Sequence, residues 1–139
     1  MSHNAEVLRR LMRPKPAYMQ LGPSYLGVTF SKTKYAARNQ RDLEFTITLD
    51  YVLDLLRKQQ GKCALTGWDL EFTRGSETSR TNDLGCTMDR IDNDKGYVPG
   101  NIQLVCWCVN KMKGAFNDDA FRELCRQITE HTDQTKVVV

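Results

Sequence analysis

Residues 87–114 constrain the fold of this chain more than any other segment. Their sequence is TMDRIDNDKGYVPGNIQLVCWCVNKMKG, which predicts a short strand, a polar turn, a second strand and the start of a helix. Such an arrangement can bring an acid on the first strand and a side chain on the helix to one point. Here those residues are Asp89 and Asn110.

Asp89 and Asn110 are therefore candidate metal ligands. Mg²⁺ prefers oxygen ligands, which a carboxylate and an amide both offer, and a divalent ion can stabilise the leaving oxygen when a phosphodiester is cut. The predicted cofactor is Mg²⁺ or another divalent ion. Taken singly, these residues are equally ordinary turn or cap residues, and Asp89 could pair with Arg90 or Lys95 instead.

Three further residues of this segment have predicted supporting roles. Asn101 opens the second strand, and its side chain can brace the backbone of the turn. Lys111 and Lys113 follow Asn110 closely and could contact the phosphate backbone of a nucleic acid.

The positive charge of the chain is concentrated at its N-terminal end. Residues 1–41 hold eight Lys and Arg against one acid, whereas residues 42–139 hold twelve against sixteen, and the net charge is +3. Clustered cations such as Arg38 and Arg41 suggest a polyanion partner. The alternative is a solvated basic face without a partner.

Composition also bears on the compartment. No apolar run approaches the length of a membrane helix, and the N-terminus lacks a signal-peptide core, so we expect an intracellular protein without a membrane partner. The five cysteines are an odd set, which makes a disulfide framework unexpected and leaves buried thiols or a metal site.

Outside the central segment, the sequence predicts helices and loops. Apolar spacing predicts a helix over residues 2–12, a loop over 17–27 and a basic helix from Thr29 or Ser31 to about Arg41. A strand over 43–47, a helix from Thr48 to a stop at Gly61, and a loop over 73–84 are predicted next. A last helix is expected to begin at Asn117 or Asp118, to bury Phe121, Leu124, Cys125 and Ile128, and to give way to a disordered or loosely packed tail from about His131.

The assembled pattern resembles the HNH, or His-Me finger, endonuclease superfamily, and in particular a group of small phage and bacterial HNH-like proteins. The matching pieces are Cys63, Thr66-Gly67, the MDRID segment at 88–92, Gly96-Tyr97, Asn101 and the VCWCVNKMK segment at 105–113. The similarity extends over residues 34–128.

This resemblance implies an α+β fold in which a ββα-metal finger with short strands packs against flanking helices. The implied division is a basic helical arm at 1–41, an HNH-like domain at 42–130 with its finger core at 87–114, and a tail at 131–139. The implied activity is metal-dependent hydrolysis of duplex DNA, in the cytoplasm of a bacterium or of a phage-infected cell.

The sequence departs from the family at Arg90, because typical members have a histidine there that activates the attacking water. A guanidinium stays protonated and cannot be that base, although it can hold a phosphate. Asp92 is the first candidate to replace it, since it would share a strand face with Arg90. Lys95 and Tyr97 are weaker candidates, and a metal-activated water would need no protein base.

Many members also carry a structural Zn²⁺ on two CxxC pairs, which this chain lacks. Cys63, Cys86, Cys106 and Cys108 lie near the predicted finger, and the last two would point the same way if both lay on a strand. Buried, reduced thiols are the favoured alternative.

Two functions follow. The first is an HNH-like DNA endonuclease in which Asp89 and Asn110 bind metal, while Arg90, Asp92 and Asn101 serve catalysis. Its predicted nucleic-acid contacts are Arg38, Arg41, Lys95, Lys111 and Lys113. The second is a catalytically inactive module of the same fold that binds nucleic acid or a host protein.

Overall fold

The computed structural model describes Ala5 and residues 16–74 and 82–137. The helix predicted over residues 2–12 lies outside the described residues except for Ala5, as does most of the loop predicted over residues 73–84. Within the described part, no helix is long and apolar enough to cross a membrane.

The described elements are five helices around one two-stranded antiparallel sheet. In chain order they are α1 (Ala17–Gln20), α2 (Gly22–Asn39), α3 (Leu49–Lys58), β1 (Cys86–Arg90), β2 (Ile102–Cys106), α4 (Trp107–Lys113) and α5 (Asp118–Val137). Cys86 pairs with Cys106 at one end of the ladder and Arg90 with Ile102 at the other. This ββα order confirms the predicted α+β fold.

The loop predicted over residues 17–27 is wrong, because this segment is helical. Pro23 lies in the first turn of α2, where proline leaves no helical hydrogen bond unmade. Gly22 serves packing rather than a turn, since a Cβ on it would lie 2.6 Å from Cδ2 of Leu56 on α3. Glycine thus permits the close approach of α2 and α3.

The helix predicted from Thr48 is confirmed. Oγ1 of Thr48 accepts a hydrogen bond from the backbone N–H of Tyr51 at 3.1 Å, which satisfies a free amide in the first turn. The chain leaves the helix through Gly61, whose φ of +70° favours glycine.

The strand predicted over residues 43–47 is reduced to a single parallel bridge between Phe45 and Tyr97. The predicted alternation holds, because Phe45 and Ile47 are buried while Glu44 and Thr46 are exposed. At this crossing, a Cβ on Gly96 would lie 2.4 Å from the carbonyl oxygen of Glu44, so the two segments touch at the backbone.

One hydrophobic core joins the helices to the sheet. Leu26 and Ala37 of α2 are buried in the same cluster as the strand residues, so residues 22–39 are part of the body of the protein. The other members that are at most 2% exposed are Val52 and Leu56 of α3, Cys63, Cys86 of β1, and Leu104, Val105 and Cys106 of β2.

Helix α5 is longer and more exposed than the sequence predicts. Phe121 is buried and Cys125 is half-buried, but Leu124 and Ile128 are 41% and 55% exposed, so their predicted burial is wrong. The helix continues to Val137, so residues 131–137 are not disordered, but residues 131–136 are exposed, in agreement with the alternative of a loosely packed tail.

Candidate functional site

A pocket of about 500 Å³ lies where β1 meets α4. Asp89, Arg90 and Asn110, three of the residues predicted from sequence, line it together. The other lining residues are Arg41, Met88, Asn93, Tyr97, Lys111, Gly114 and Ala115. The backbone amides of Trp107 and Cys108 donate to the carbonyls of Gly85 and Asp83, at 2.8 and 2.9 Å, and so fix the start of α4 against the sheet.

The amide of Asn110 is oriented by two hydrogen bonds. Its Nδ2 donates to Oγ1 of Thr87 at 3.0 Å and to the carbonyl oxygen of Met88 at 3.4 Å. A carbonyl only accepts, so this contact identifies the amino end of the side chain. Oδ1 of Asn110 is left without a partner among the described residues.

The two oxygens of the Asp89 carboxylate have different surroundings. Its Oδ2 accepts hydrogen bonds from Nζ of Lys113 at 2.7 Å and from Nε2 of Gln103 at 2.9 Å. Its Oδ1 has no partner among the described residues. Asp89 is 6% exposed and is one of the residues that line the pocket.

Asp89 and Asn110 together fit a weakly ligated divalent cation. The described residues contain no group of three His, Cys, Asp or Glu side chains that could hold a metal. Mg²⁺ usually binds proteins through one or two carboxylates together with water and substrate phosphates, so a carboxylate and an amide oxygen are donors of the kind that it takes.

The prediction that Lys113 contacts a phosphate backbone is wrong. Lys113 is 1% exposed, and its Nζ pairs with Asp89 at 2.7 Å and with Asp118 at 2.6 Å. Lys111, two residues earlier, is exposed, because positions two apart on a helix face different directions. Sequence reasoning missed the site roles of Asp118 and Gln103, since only the folded chain brings them to Asp89.

Arg90 is held by the turn that follows it. Its Nη1 donates to the carbonyls of Asn93 and Lys95 at 2.8 and 2.9 Å, and its guanidinium lies 5.6 Å from the ring centroid of Tyr97. The alternative pairing of Asp89 with Arg90 or Lys95 is wrong, because Asp89 pairs with Lys113. Nε and Nη2 of Arg90 have no partner in the described chain.

Asp92 does not share a strand face with Arg90, and the reasoning that made it the first candidate base is wrong. β1 ends at Arg90, and Asp92 lies in the turn, where its Oδ1 accepts from the backbone N–H of Asp94 at 2.9 Å. Asp92 is not among the residues that line the pocket.

Asn101 makes the contacts that its predicted bracing role requires. Its Oδ1 accepts from the backbone N–H of Asp92 at 2.8 Å, and its Nδ2 donates to the carbonyls of Asp92 and Gly96 at 3.0 and 2.9 Å. Asn101 is buried and does not line the pocket. Asn101 therefore positions the turn whose carbonyls hold Arg90.

The predicted nucleic-acid contacts separate into two groups. Arg41 and Lys111 are exposed and line the pocket, and Nζ of Lys111 lies 4.9 Å from the ring centroid of Trp107. Arg38 and Lys95 do not line it. Arg38 donates from Nη2 to the carbonyl of Phe45 at 3.2 Å, which ties it to the fold.

The four cysteines near the finger are free thiols. Sγ of Cys106 lies 3.6 Å from Sγ of Cys108, but α4 begins at Trp107, so the two residues do not meet the condition of lying on one strand. Cys63 and Cys86 do not complete a metal-binding group with them in the described structure. Burial raises the pKa of Cys86 and of Cys106 to about 12, as is usual for buried, reduced thiols.

A comparison with solved structures finds that this chain is similar to PacI, a rare-cutting HNH restriction endonuclease. The TM-score is 0.54, and the sequences are 22% identical over 75% of this chain and 76% of that chain. The fold is HNH-like. No family model matches the sequence, and no curated protein is significantly similar to it.

Proposed function

We propose that this protein is a divalent-metal-dependent endonuclease that hydrolyses phosphodiester bonds in DNA. The observation that carries the proposal is the pair of unpartnered oxygens, Oδ1 of Asp89 and Oδ1 of Asn110, on residues of the described chain that line one pocket. The HNH-like fold supports it, because PacI is itself an HNH restriction endonuclease.

In this proposal some residues of the pocket bind the ion and others bind the phosphates of the substrate. Asp89 and Asn110 hold the ion, which when bound supplies charge stabilisation at the leaving oxygen and lowers the pKa of water. Arg90 directs Nε and Nη2 to the reacting phosphate, because its Nη1 is bound to the turn. Arg41 and Lys111 neutralise neighbouring phosphates.

Of the three candidates for a protein base, Asp92 and Lys95 lie outside the pocket lining, whereas Tyr97 lines it. The ring centroid of Tyr97 lies 5.6 Å from the guanidinium of Arg90. A metal-activated water, which needs no protein base, is the other route in this proposal.

We expect the purified protein to nick supercoiled plasmid in Mg²⁺ or Mn²⁺ and to stop in excess EDTA. The physical reason is that two protein oxygens cannot stabilise the leaving oxygen without the ion. Agarose gels of nicked and linear product measure the rate. Absence of cleavage across several divalent ions and across duplex and single-stranded DNA would contradict the proposal.

DNA binding is expected to depend on the two exposed cations of the pocket. An Arg41→Ala/Lys111→Ala variant should weaken binding and reduce the slope of log Kd against log salt by about 2, because two phosphate contacts are lost. Fluorescence anisotropy in EDTA at several salt concentrations measures that slope.

The matched control is Arg57→Ala/Lys58→Ala, which removes the same charge from the exposed end of α3, away from the pocket. Equal slopes for the two double variants would show that the effect is one of net charge and would contradict a binding role for Arg41 and Lys111.

A second candidate function is a binding module without catalysis. Two observations favour it. Arg90 stands at the position where typical HNH enzymes have the catalytic base, and its guanidinium is partly bound by the turn that follows it. Asp92, the first candidate to replace that base, does not line the pocket. This function predicts salt-sensitive DNA binding that EDTA and Asp89→Asn leave unchanged, together with no nicking in any divalent ion.

A further inference from the structure

A buried charged cluster holds one oxygen of Asp89, and the proposed reaction does not use it. The cluster comprises Lys113 at the end of α4, Asp118 at the start of α5 and Gln103 on β2. Gln103 is the cross-strand partner of Asp89 in the ladder. Lys113 and Gln103 are 1% and 9% exposed.

All three N–H groups of the Lys113 ammonium have acceptors. Its Nζ donates to Oδ2 of Asp89 at 2.7 Å, to the carbonyl of Arg90 at 2.7 Å and pairs with Oδ1 of Asp118 at 2.6 Å. An ammonium has three protons, so these three acceptors use all of them. Lys113 therefore cannot release Asp89 without leaving a buried charge unsatisfied.

Gln103 fixes the same oxygen from the other side. Its Nε2 lies 2.9 Å from Oδ2 of Asp89 and 3.0 and 2.9 Å from the two carboxylate oxygens of Asp118. Oδ2 of Asp89 thus has two donors within hydrogen-bond distance, whereas Oδ1 has none in the described chain. The cluster makes the two oxygens of one carboxylate unequal.

We propose that Lys113, Asp118 and Gln103 restrict Asp89 to a single metal-binding oxygen and thereby select a small octahedral ion such as Mg²⁺ over Ca²⁺. This inference rests on the proposed metal site. Mg²⁺ accepts single carboxylate oxygens in a strict octahedron, whereas Ca²⁺ takes six to eight oxygens and often both oxygens of one carboxylate. Because Oδ2 of Asp89 already accepts hydrogen bonds, the two oxygens of Asp89 cannot both bind one ion.

The cluster also offsets the charge of its second carboxylate. Two carboxylates and one ammonium give a net charge of −1, so the negative charge of Asp118 is balanced by Lys113 rather than added to the site. A brace that only stabilised the fold would be indifferent to which ion the pocket takes. Ion preference therefore separates a positioning role from a structural one.

The test is a Lys113→Met/Asp118→Asn variant, which removes one charge of each sign and keeps the net charge. Mn²⁺ bound to EDTA-washed protein is followed by electron paramagnetic resonance and displaced with Mg²⁺ or Ca²⁺. We expect the ratio of the Mg²⁺ and Ca²⁺ dissociation constants to shift about tenfold towards Ca²⁺, the size of effect typical of groups that orient a ligand.

The matched control is Lys62→Met/Asp69→Asn, which makes the same exchange in an exposed pair at 2.6 Å. It should leave the ion preference unchanged. If the first variant does not fold, Gln103→Leu removes the other donor to Oδ2 without altering charge and should shift the preference in the same direction by a smaller factor.

Each outcome bears on the inference. A wild-type protein that binds no divalent ion, or a folded variant with unchanged preference, would overturn it. A shifted preference in a protein that cuts no DNA would support the selection by Asp89 while contradicting the proposed endonuclease, because ion binding is measured here without DNA.

Discussion

An Asp89→Asn variant is expected to fold and to lose at least about a thousandfold in the rate of plasmid nicking, equivalent to ~4 kcal/mol of transition-state stabilisation. The amide retains the size of the side chain and an oxygen that Lys113 can bind. It removes the negative charge that holds the ion beside Asn110. The single-turnover nicking rate in saturating Mg²⁺ measures the loss.

The matched control is Asp94→Asn, the same exchange at an exposed carboxylate in the turn that follows β1, outside the pocket lining. It should cut at the wild-type rate. Identical purification of both variants also reveals a contaminating nuclease, which would leave Asp89→Asn active. A loss of less than about tenfold for Asp89→Asn, or less than ~1.4 kcal/mol, would contradict a metal-binding role for this carboxylate.

The parts of the fold that the sequence predicts correctly are those fixed by neighbours along the chain. Helix α3 begins at Thr48 because its side chain caps the first turn, and the chain leaves it at Gly61 because of its positive φ. The two strands and α4 follow one another closely along the chain, so Asp89 and Asn110 reach one pocket through local connections.

The parts that the sequence does not predict are decided by distant contacts. Gly22 precedes a proline, which is typical of a turn, but here it lies in a helix, where a Cβ would come within 2.6 Å of Cδ2 of Leu56 on α3. The sequence places Asp92 on a strand face with Arg90, but three hydrogen bonds between Asn101 and residues Asp92 and Gly96 hold that segment as a turn. Neither contact leaves a periodic signal in the sequence.

The apolar spacing of α5 predicts a fully buried face that the structure does not have, for a related reason. Phe121, Leu124, Cys125 and Ile128 have the spacing of one helical face, yet Leu124 and Ile128 remain exposed. Amphipathic spacing states which residues share a face, but not whether the rest of the chain covers that face. The direction of Lys113 was missed likewise, because its acidic partners come from β1 and α5.

Replacing Lys113 alone should be among the most destabilising single changes in the protein. Lys113→Met leaves the buried carboxylate of Asp89 beside the half-buried carboxylate of Asp118 without a cation, and removing one partner of a buried ion pair costs about 3–5 kcal/mol. Urea unfolding followed by circular dichroism gives the free energy of unfolding.

The control is Lys62→Met, which breaks the exposed ion pair with Asp69. Exposed pairs contribute about 0–1 kcal/mol, so this variant should unfold close to the wild type. A Lys113→Met variant within about 1 kcal/mol of wild type would contradict the buried cluster.

The double variant Lys113→Met/Asp118→Asn separates the cost of an unpaired charge from the loss of the ammonium itself. The amide introduced at position 118 could still accept a hydrogen bond from Gln103, and Asp89 would be the single remaining charge of the cluster. If the destabilisation of Lys113→Met comes from two carboxylates repelling each other, the second substitution should restore stability rather than add to the loss. Additive losses would instead mean that Lys113 stabilises the fold through packing, and that Asp89 does not depend on a shared cation for its place in the pocket.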